Sequence, residues 1–384
     1  MDSIRKGVHL KKATPPNTSS STQPTRFICE TDDDYNRLLS ETSFDAYYHT
    51  IEDLTFRSTT IELSCEEASA ILSEHDLYKA FMKREGDDLY SDMDIVAEYD
   101  EWRKPTVEHV HRHLLLTLAE RIDKALPLLN SSGFFCRLAT MSPKDAATNR
   151  IGFVNSIRLH LEEIVKMENE LNVDFKTEMN RRLYALYMAS TSILSLSNGM
   201  QAVQLLIESG RAHQELTKIA SGVYNKENKS NGLVLREFNK FDVAMELRAF
   251  VYNRKLTGIS QYNQLLYFPH LIKKRDEITK SVSSFLSDKV LNNPKIETPN
   301  FIVDLVLTVD ESSKELKVKI VELNPLAEFA GTCLFTWEYD RHILTGDGSH
   351  VEFRVVTEVD ATAGNEMGSE WKMALQKLDN MLHQ

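Results

Sequence analysis

Two carboxylates and an amide lie close together in the last third of the chain, on two stretches that read as strands. Asp304 sits within Phe301-Ile302-Val303-Asp304-Leu305-Val306-Leu307; Glu322 and Asn324 sit within Val321-Glu322-Leu323-Asn324-Pro325. The polar run Asp310-Glu311-Ser312-Ser313-Lys314-Glu315 between them has the composition of a hairpin tip. A hairpin centred near Ser313 sets Asp304 across from Glu322. Side chains alternate along a strand, so Asn324 shares that face, together with Ile302, Val306, Val318 and Ile320. Opposed like charges destabilise a sheet, and burying them costs more. A bound cation is the simplest compensation. Oxygen donors of this kind suit Mg²⁺, which commonly shares its coordination sphere with phosphates. The alternative is an exposed hairpin with scattered acids.

Cationic residues on neighbouring strands and turns extend that chemistry. Glu246 and Arg248 alternate onto one face with Phe250 and Tyr252, and Arg236-Glu237 closes the apolar run Leu233-Val234-Leu235. Arg137 lies in Phe134-Phe135-Cys136-Arg137-Leu138-Ala139-Thr140, and Lys144 in the turn Met141-Ser142-Pro143-Lys144-Asp145-Ala146. Such cations beside a three-oxygen metal site fit a nucleoside triphosphate, the metal bridging phosphates while Arg and Lys neutralise the remaining charge. Taken singly, each is more simply a salt-bridged strand residue, as Arg248 would be beside Glu246. The chain has no G-x-x-x-x-G-K-[ST] loop and no G-x-G-x-x-G, so a phosphate site here would rest on side chains and strand backbone. It also lacks G-x-S-x-G and H-E-x-x-H, which ranks hydrolase and protease readings low.

The elements that must position these residues are legible in outline. Residues 55–63 read as a strand, and Ser64-x-x-Glu67 starts a helix to about Ser73. Residues 106–129 form an amphipathic helix with Val110, Leu114, Leu118, Ile122 and Leu126 along one stripe. His109, His111 and His113 at its start lack an acid or cysteine partner and read as solvated. Residues 178–206 and 276–291 are helical, and a closing helix runs from about Gly368. The stretches 233–238, 246–252 and 255–261 read as consecutive antiparallel strands.

Composition sets the outer bounds. The 384 residues, 42% hydrophobic and 27% charged, are ample for one large α/β domain or two smaller ones. A net charge of -12 argues against broad nucleic-acid or anionic-membrane binding. Cys29, Cys65, Cys136 and Cys333 have no metal-type spacing and read as reduced thiols of a cytoplasmic protein. No apolar run reaches membrane-spanning length. Residues 1–26, rich in Ser, Thr and Pro, cannot bury a core and read as a disordered tail.

The motifs, taken in order, resemble those of the cell division cycle protein 123 family. The likeness rests on Ser43-Phe44-Asp45-Ala46-Tyr47-Tyr48 with Thr55-Phe56-Arg57-Ser58; Arg137 with Ser142-Pro143-Lys144-Asp145-Ala146; Leu233-Val234-Leu235-Arg236; Glu246-Leu247-Arg248-Ala249-Phe250-Val251 with Gly258-Ile259-Ser260-Gln261; and Asp304 with Glu322-Leu323-Asn324-Pro325 and Leu334-Phe335-Thr336-Trp337-Glu338. Arg137, Ala139-Thr140, Glu322 and Leu326 stand where the family has Lys, Asn-Trp, Asp and Phe, which marks a divergent member.

The resemblance implies an α/β (α+β) ATP-grasp-like fold, two subdomains with antiparallel sheets around a nucleotide cleft. Residues 27–225 would form an N-terminal subdomain with mostly helical inserts, 232–345 the C-terminal ATP-grasp subdomain, and 346–384 an extension. By analogy Asp304, Glu322 and Asn324 hold Mg²⁺. Arg137, Lys144 and Arg248 face the phosphates of ATP, and the strand at Leu235, Arg236 and Glu237 borders the adenine. The implied role is assembly of translation initiation factor 2 through its gamma subunit. The rival is an ATP-grasp ligase forming an acyl phosphate on an unknown substrate. Both need the same metal and phosphate residues, so the nucleotide site cannot separate them.

Overall fold

The computed structural model describes residues 32–85, 109–150, 152–171, 174–223, 232–310, 312, 315–360 and 362–383. Among the described residues, eight strands form two sheets. The smaller has the order β1-β3-β2, from β1 (Ser58–Glu62), β2 (Phe134–Leu138) and β3 (Gly232–Glu237). The larger has the order β7-β6-β4-β5-β8, from β4 (Glu246–Tyr252), β5 (Lys255–Gln261), β6 (Phe301–Val309), β7 (Leu316–Pro325) and β8 (Glu352–Arg354). Between these strands the pairings are antiparallel except β5 with β8. The protein is therefore a mixed α/β structure with two sheets.

Two helical layers cover these sheets. Helices Cys65–Glu85, His109–Ala125, Gly199–Glu208 and Gly210–Ala220 enclose the small sheet around Leu63, Ile71, Leu118, Leu206, Leu216, Leu233 and Leu235. Phe153–Leu171, Glu178–Ser192, Arg275–Phe285 and Ser369–Leu382 pack with one face of the large sheet around Ile157, Leu186, Leu247, Ala249, Val303, Leu305, Ile320 and Leu378. The opposite face carries a smaller cluster of Phe250, Ile302, Leu326, Phe335 and Leu344. Beside that cluster lie the polar residues of interest.

Several sequence expectations change in detail. Residues 233–238 do not run beside β4; β3 is the centre of the small sheet, flanked by β1 and β2. Strand pattern identifies a strand but carries no information on which distant segment pairs with it. The Ser64–Glu67 capping box closes reciprocally, Ser64 N–H to Glu67 Oε2 at 2.9 Å and Glu67 N–H to Ser64 Oγ at 3.1 Å. Its helix continues beyond Ser73 to Glu85. The 178–206 stretch is two helices, the second capped by Asn198, whose side chain accepts from Gln201 N–H at 3.0 Å. His113 is exposed and His111 half-buried; Asn225 to Asn231 and most of 77–105 fall largely outside the described residues.

Candidate functional site

The hairpin of β6 and β7 pairs Asp304 with Glu322, and Ile302 with Asn324. Next to this register the pairing slips, so that Leu305 faces Ile320 and Val321 is extra. This β-bulge corrects the expected face composition. Ile320 and Val318 do not share the acids' face; they pack with Leu305 and Leu307 into the main core. Without the extra residue, strict alternation would have kept Ile320 beside Glu322.

On the other side of β6, Arg248 of β4 pairs with Asp304. Its guanidinium grips the carboxylate twice, Nε to Oδ1 and Nη2 to Oδ2, both at 2.7 Å. Arg248 Nη1 also donates to the Gly331 carbonyl at 2.5 Å, tying down the loop after β7. Asn324 Nδ2 donates to Asp304 Oδ2 at 3.1 Å. From the small sheet, Arg137 Nη1 donates to Glu322 Oε2 at 2.5 Å. Lys144 Nζ lies 4.0 Å from Glu322 Oε1 and 3.5 Å from the Tyr262 hydroxyl. The turn carrying Lys144 is anchored by Asp145, which accepts from Ser209 Oγ at 2.6 Å and Arg211 N–H at 3.0 Å.

Asp304 is 1% exposed and Glu322 9%, which rules out an exposed hairpin of scattered acids. Arginines from two different strands supply the compensation a sheet needs for facing carboxylates. Against the penalty of burial, Arg137 and Lys144 hold the Glu322 carboxyl well below the usual range. Burial opposes the charge on Arg248, yet Asp304 raises its pKa well above the usual value. Burial likewise disfavours a charged Lys144, while Tyr262, Glu322, Glu246 and Asp304 raise its pKa.

Arg137, Lys144, Arg236, Glu237, Glu246, Tyr262 and Glu322 line a cavity of about 740 Å³ between the sheets. The rest of its lining mixes polar residues such as Ser142, Asn149 and Asn239 with the aromatic Phe56, Phe135, Phe238, Phe241, Tyr187 and Trp371. Arg236 reaches across from β3 to the backbone of β7, Nη1 donating to the Val321 carbonyl at 2.6 Å. Leu235 does not reach the cavity: its side chain is sealed in the small-sheet core, and its backbone is flanked by Thr59 and Cys136. Glu237 is half-buried at the wall, 4.0 Å from Lys319. Sequence reasoning passed over Glu246 as a site residue. It stands two positions before Arg248 on the same face, 8% exposed, and its carboxyl has no hydrogen bond or ion pair among the described residues. That position on the strand was the available signal.

No three His, Cys, Asp or Glu side chains among the described residues form a metal cage. A metal here would rest on Asp304, Glu322 and Asn324 together with oxygens of its ligand. That donor set fits a hard divalent cation, and the surrounding cations fit an anionic ligand.

The two-sheet α/β fold is one shared with a solved protein. The structure matches that titled "Structure of Cdc123 from Schizosaccharomyces pombe" with a TM-score of 0.51 and 15% identity, covering 84% of this chain and 98% of that one. The D123 family model matches residues 172–379, more than half of the chain, and the chain belongs to that family. A relative from Xenopus laevis, "Translation initiation factor eIF2 assembly protein", is 32% identical over 120 residues, 31% of this chain and 33% of the relative. "Cell division cycle protein 123" of Candida glabrata is 28% identical over 126 residues, 33% of this chain and 34% of the relative. The matched stretch thus spans about a third of the length of these relatives. The resemblance drawn from the motifs holds. No helix among the described residues is long and apolar enough to cross a membrane.

Proposed function

We propose that this chain is an ATP–Mg²⁺-binding assembly factor for translation initiation factor 2, working in the cytoplasm through that factor's gamma subunit. The observation that carries the nucleotide half is the cavity wall. Arg137 and Lys144 stand beside Glu322 in it, and Arg248, Asp304 and Asn324 adjoin Glu322 on the same sheet face, behind the residues that line the cavity itself. The assembly half rests on the relatives' names and on membership of the D123 family.

In this reading Asp304, Glu322 and Asn324 hold the cation, and Arg137, Lys144 and Arg248 receive the phosphates. Bound Mg²⁺ would neutralise phosphate charge. The edge at Arg236 and Glu237, with the aromatic walls, borders the base. Glu246, which lines the cavity and whose carboxyl has no protein hydrogen bond among the described residues, accepts hydrogen bonds from the ligand's donors. The protein's own contribution is to hold both lobes on one ligand. Nucleotide binding would then set the lobe arrangement that the gamma subunit meets.

Calorimetry with ATP, with and without Mg²⁺, tests the first half on wild type and Asn324→Ala. Wild type should bind more tightly with the metal, and the variant should lose that increment. Equal affinities would overturn the metal assignment. Capture of the gamma subunit from purified initiation factor 2 subunits tests the second half. ADP released in step with a ligated product would transfer the chain to the ligase class.

A further inference from the structure

The extra residue in β7 solves a problem that plain alternation cannot. The strand must send Ile320 into the core with Leu305 and, two residues later, send Glu322 and Asn324 to the opposite face beside Asp304. The bulge at Val321 makes both possible, but it takes carbonyls out of the regular ladder. Those carbonyls are gripped from outside the sheet. The Thr55 hydroxyl donates to the Ile320 carbonyl at 2.7 Å, and Thr55 forms a parallel bridge with Ile320. Arg236 donates through Nη1 to the Val321 carbonyl at 2.6 Å, and through Nη2 to the Ile320 carbonyl at 3.3 Å and to the Thr55 hydroxyl. Its guanidinium lies over the Phe56 ring, 4.9 Å from the centroid. Arg236 is 5% exposed and Thr55 5%, so water does not compete for these contacts.

We infer that Arg236 and Thr55 are positioning residues. They clamp the β7 bulge and so present Glu322 and Asn324 beside Asp304 for a divalent cation. The inference rests on the nucleotide–metal reading for its ligand, and on geometry alone for the clamp. A plain stabilising role would lower stability without selecting the metal increment.

The test uses the full chain, ATP, and Mn²⁺ in place of Mg²⁺, with free Mn²⁺ read by electron paramagnetic resonance. Thr55→Val keeps the shape and the extended backbone but removes both hydroxyl contacts. Losing a buried hydrogen bond at the bulge should weaken Mn²⁺ uptake about 5- to 10-fold, while ATP affinity in chelator stays the same. Thr257→Val is the control. Its buried hydroxyl donates to the carbonyls of Phe250, in the same sheet, and of Leu344, in the short helix Arg341–Leu344, away from the bulge. It should leave Mn²⁺ uptake unchanged. Thr55→Ala, which removes the same hydroxyl with a smaller side chain, should reproduce the Thr55→Val loss and serves if that variant fails to fold. Unchanged Mn²⁺ uptake in both, or an equal loss in the control, overturns the inference. If wild type takes up no Mn²⁺ with ATP, the nucleotide reading falls. The clamp is then judged by amide exchange across residues 318–325 of the ligand-free chain: faster exchange in Thr55→Val upholds it, and unchanged exchange overturns it.

Discussion

Replacing Glu246 by glutamine isolates the electrostatic cost of the cavity. Burial, reinforced by Asp304 and Glu322 and opposed by Lys144 and Arg248, raises the Glu246 carboxyl from 4.5 to about 7. The folded chain therefore holds this proton more tightly than the unfolded chain does. Its contribution to stability is fully present below 4.5, falls as pH rises, and is lost above about 7. At about 1.36 kcal/mol per pH unit, that interval amounts to about 3 kcal/mol. Glutamine keeps the shape and has no proton to lose, so it removes this slope. Urea unfolding followed by tryptophan fluorescence measures it. At about pH 5 the variant should match wild type, and at about pH 8 it should be more stable by about 2–3 kcal/mol. Glu208, which burial also raises to about 7, contributes equally to both proteins and cancels. A difference that stays constant between the two pH values, or that is larger in acid, would refute the reasoning.

Two further outcomes follow from the same geometry. Asp304→Ala strands the Arg248 guanidinium in a buried setting and should cost about 3–5 kcal/mol, part of it recovered by adding Arg248→Met; a double-mutant cycle in urea measures the coupling, and additive losses would count against the pair. Ser64→Ala opens the capping box of the Cys65–Glu85 helix and should cost about 1 kcal/mol, seen as a lowered melting temperature by circular dichroism; an unchanged melt would show the cap to be idle.

The chemistry-bearing hairpin was readable because its logic is local. Alternation and a polar tip bring Asp304 to within one residue of Glu322, the bulge completing the pairing, and the Ser64–Glu67 cap is a four-residue signal. The bulge was not readable, because one inserted residue leaves a run such as Val318-Lys319-Ile320-Val321-Glu322 looking like any other strand. Pairing of β3 with β1 and β2 was hidden for a different reason. Partners about 100 and 175 residues upstream are chosen by packing of the surrounding helices and strands, not by local pattern. The helix Phe153–Leu171 was passed over although Ile157, Leu161 and Ile164 recur at helical spacing and are buried. Individual arginines were ambiguous in sequence because strand position does not distinguish a ligand-facing cation from one spent on a carbonyl. Arg236 shows why: its reach to β7 exists only once the two sheets meet.

The Arg137–Glu322 and Arg248–Asp304 contacts have one more consequence. Each acid already holds a cation and each guanidinium an anion, so the expense of stripping water from these groups is met when the chain folds. A metal–phosphate ligand of the proposed kind would enter by exchanging counterions, the metal relieving the arginines of their acids while phosphate takes the acids' place. Metal alone would leave guanidinium groups bare, and phosphate alone would leave carboxylates bare. Arrival of the two together keeps every charge matched, which favours the preformed complex over either component.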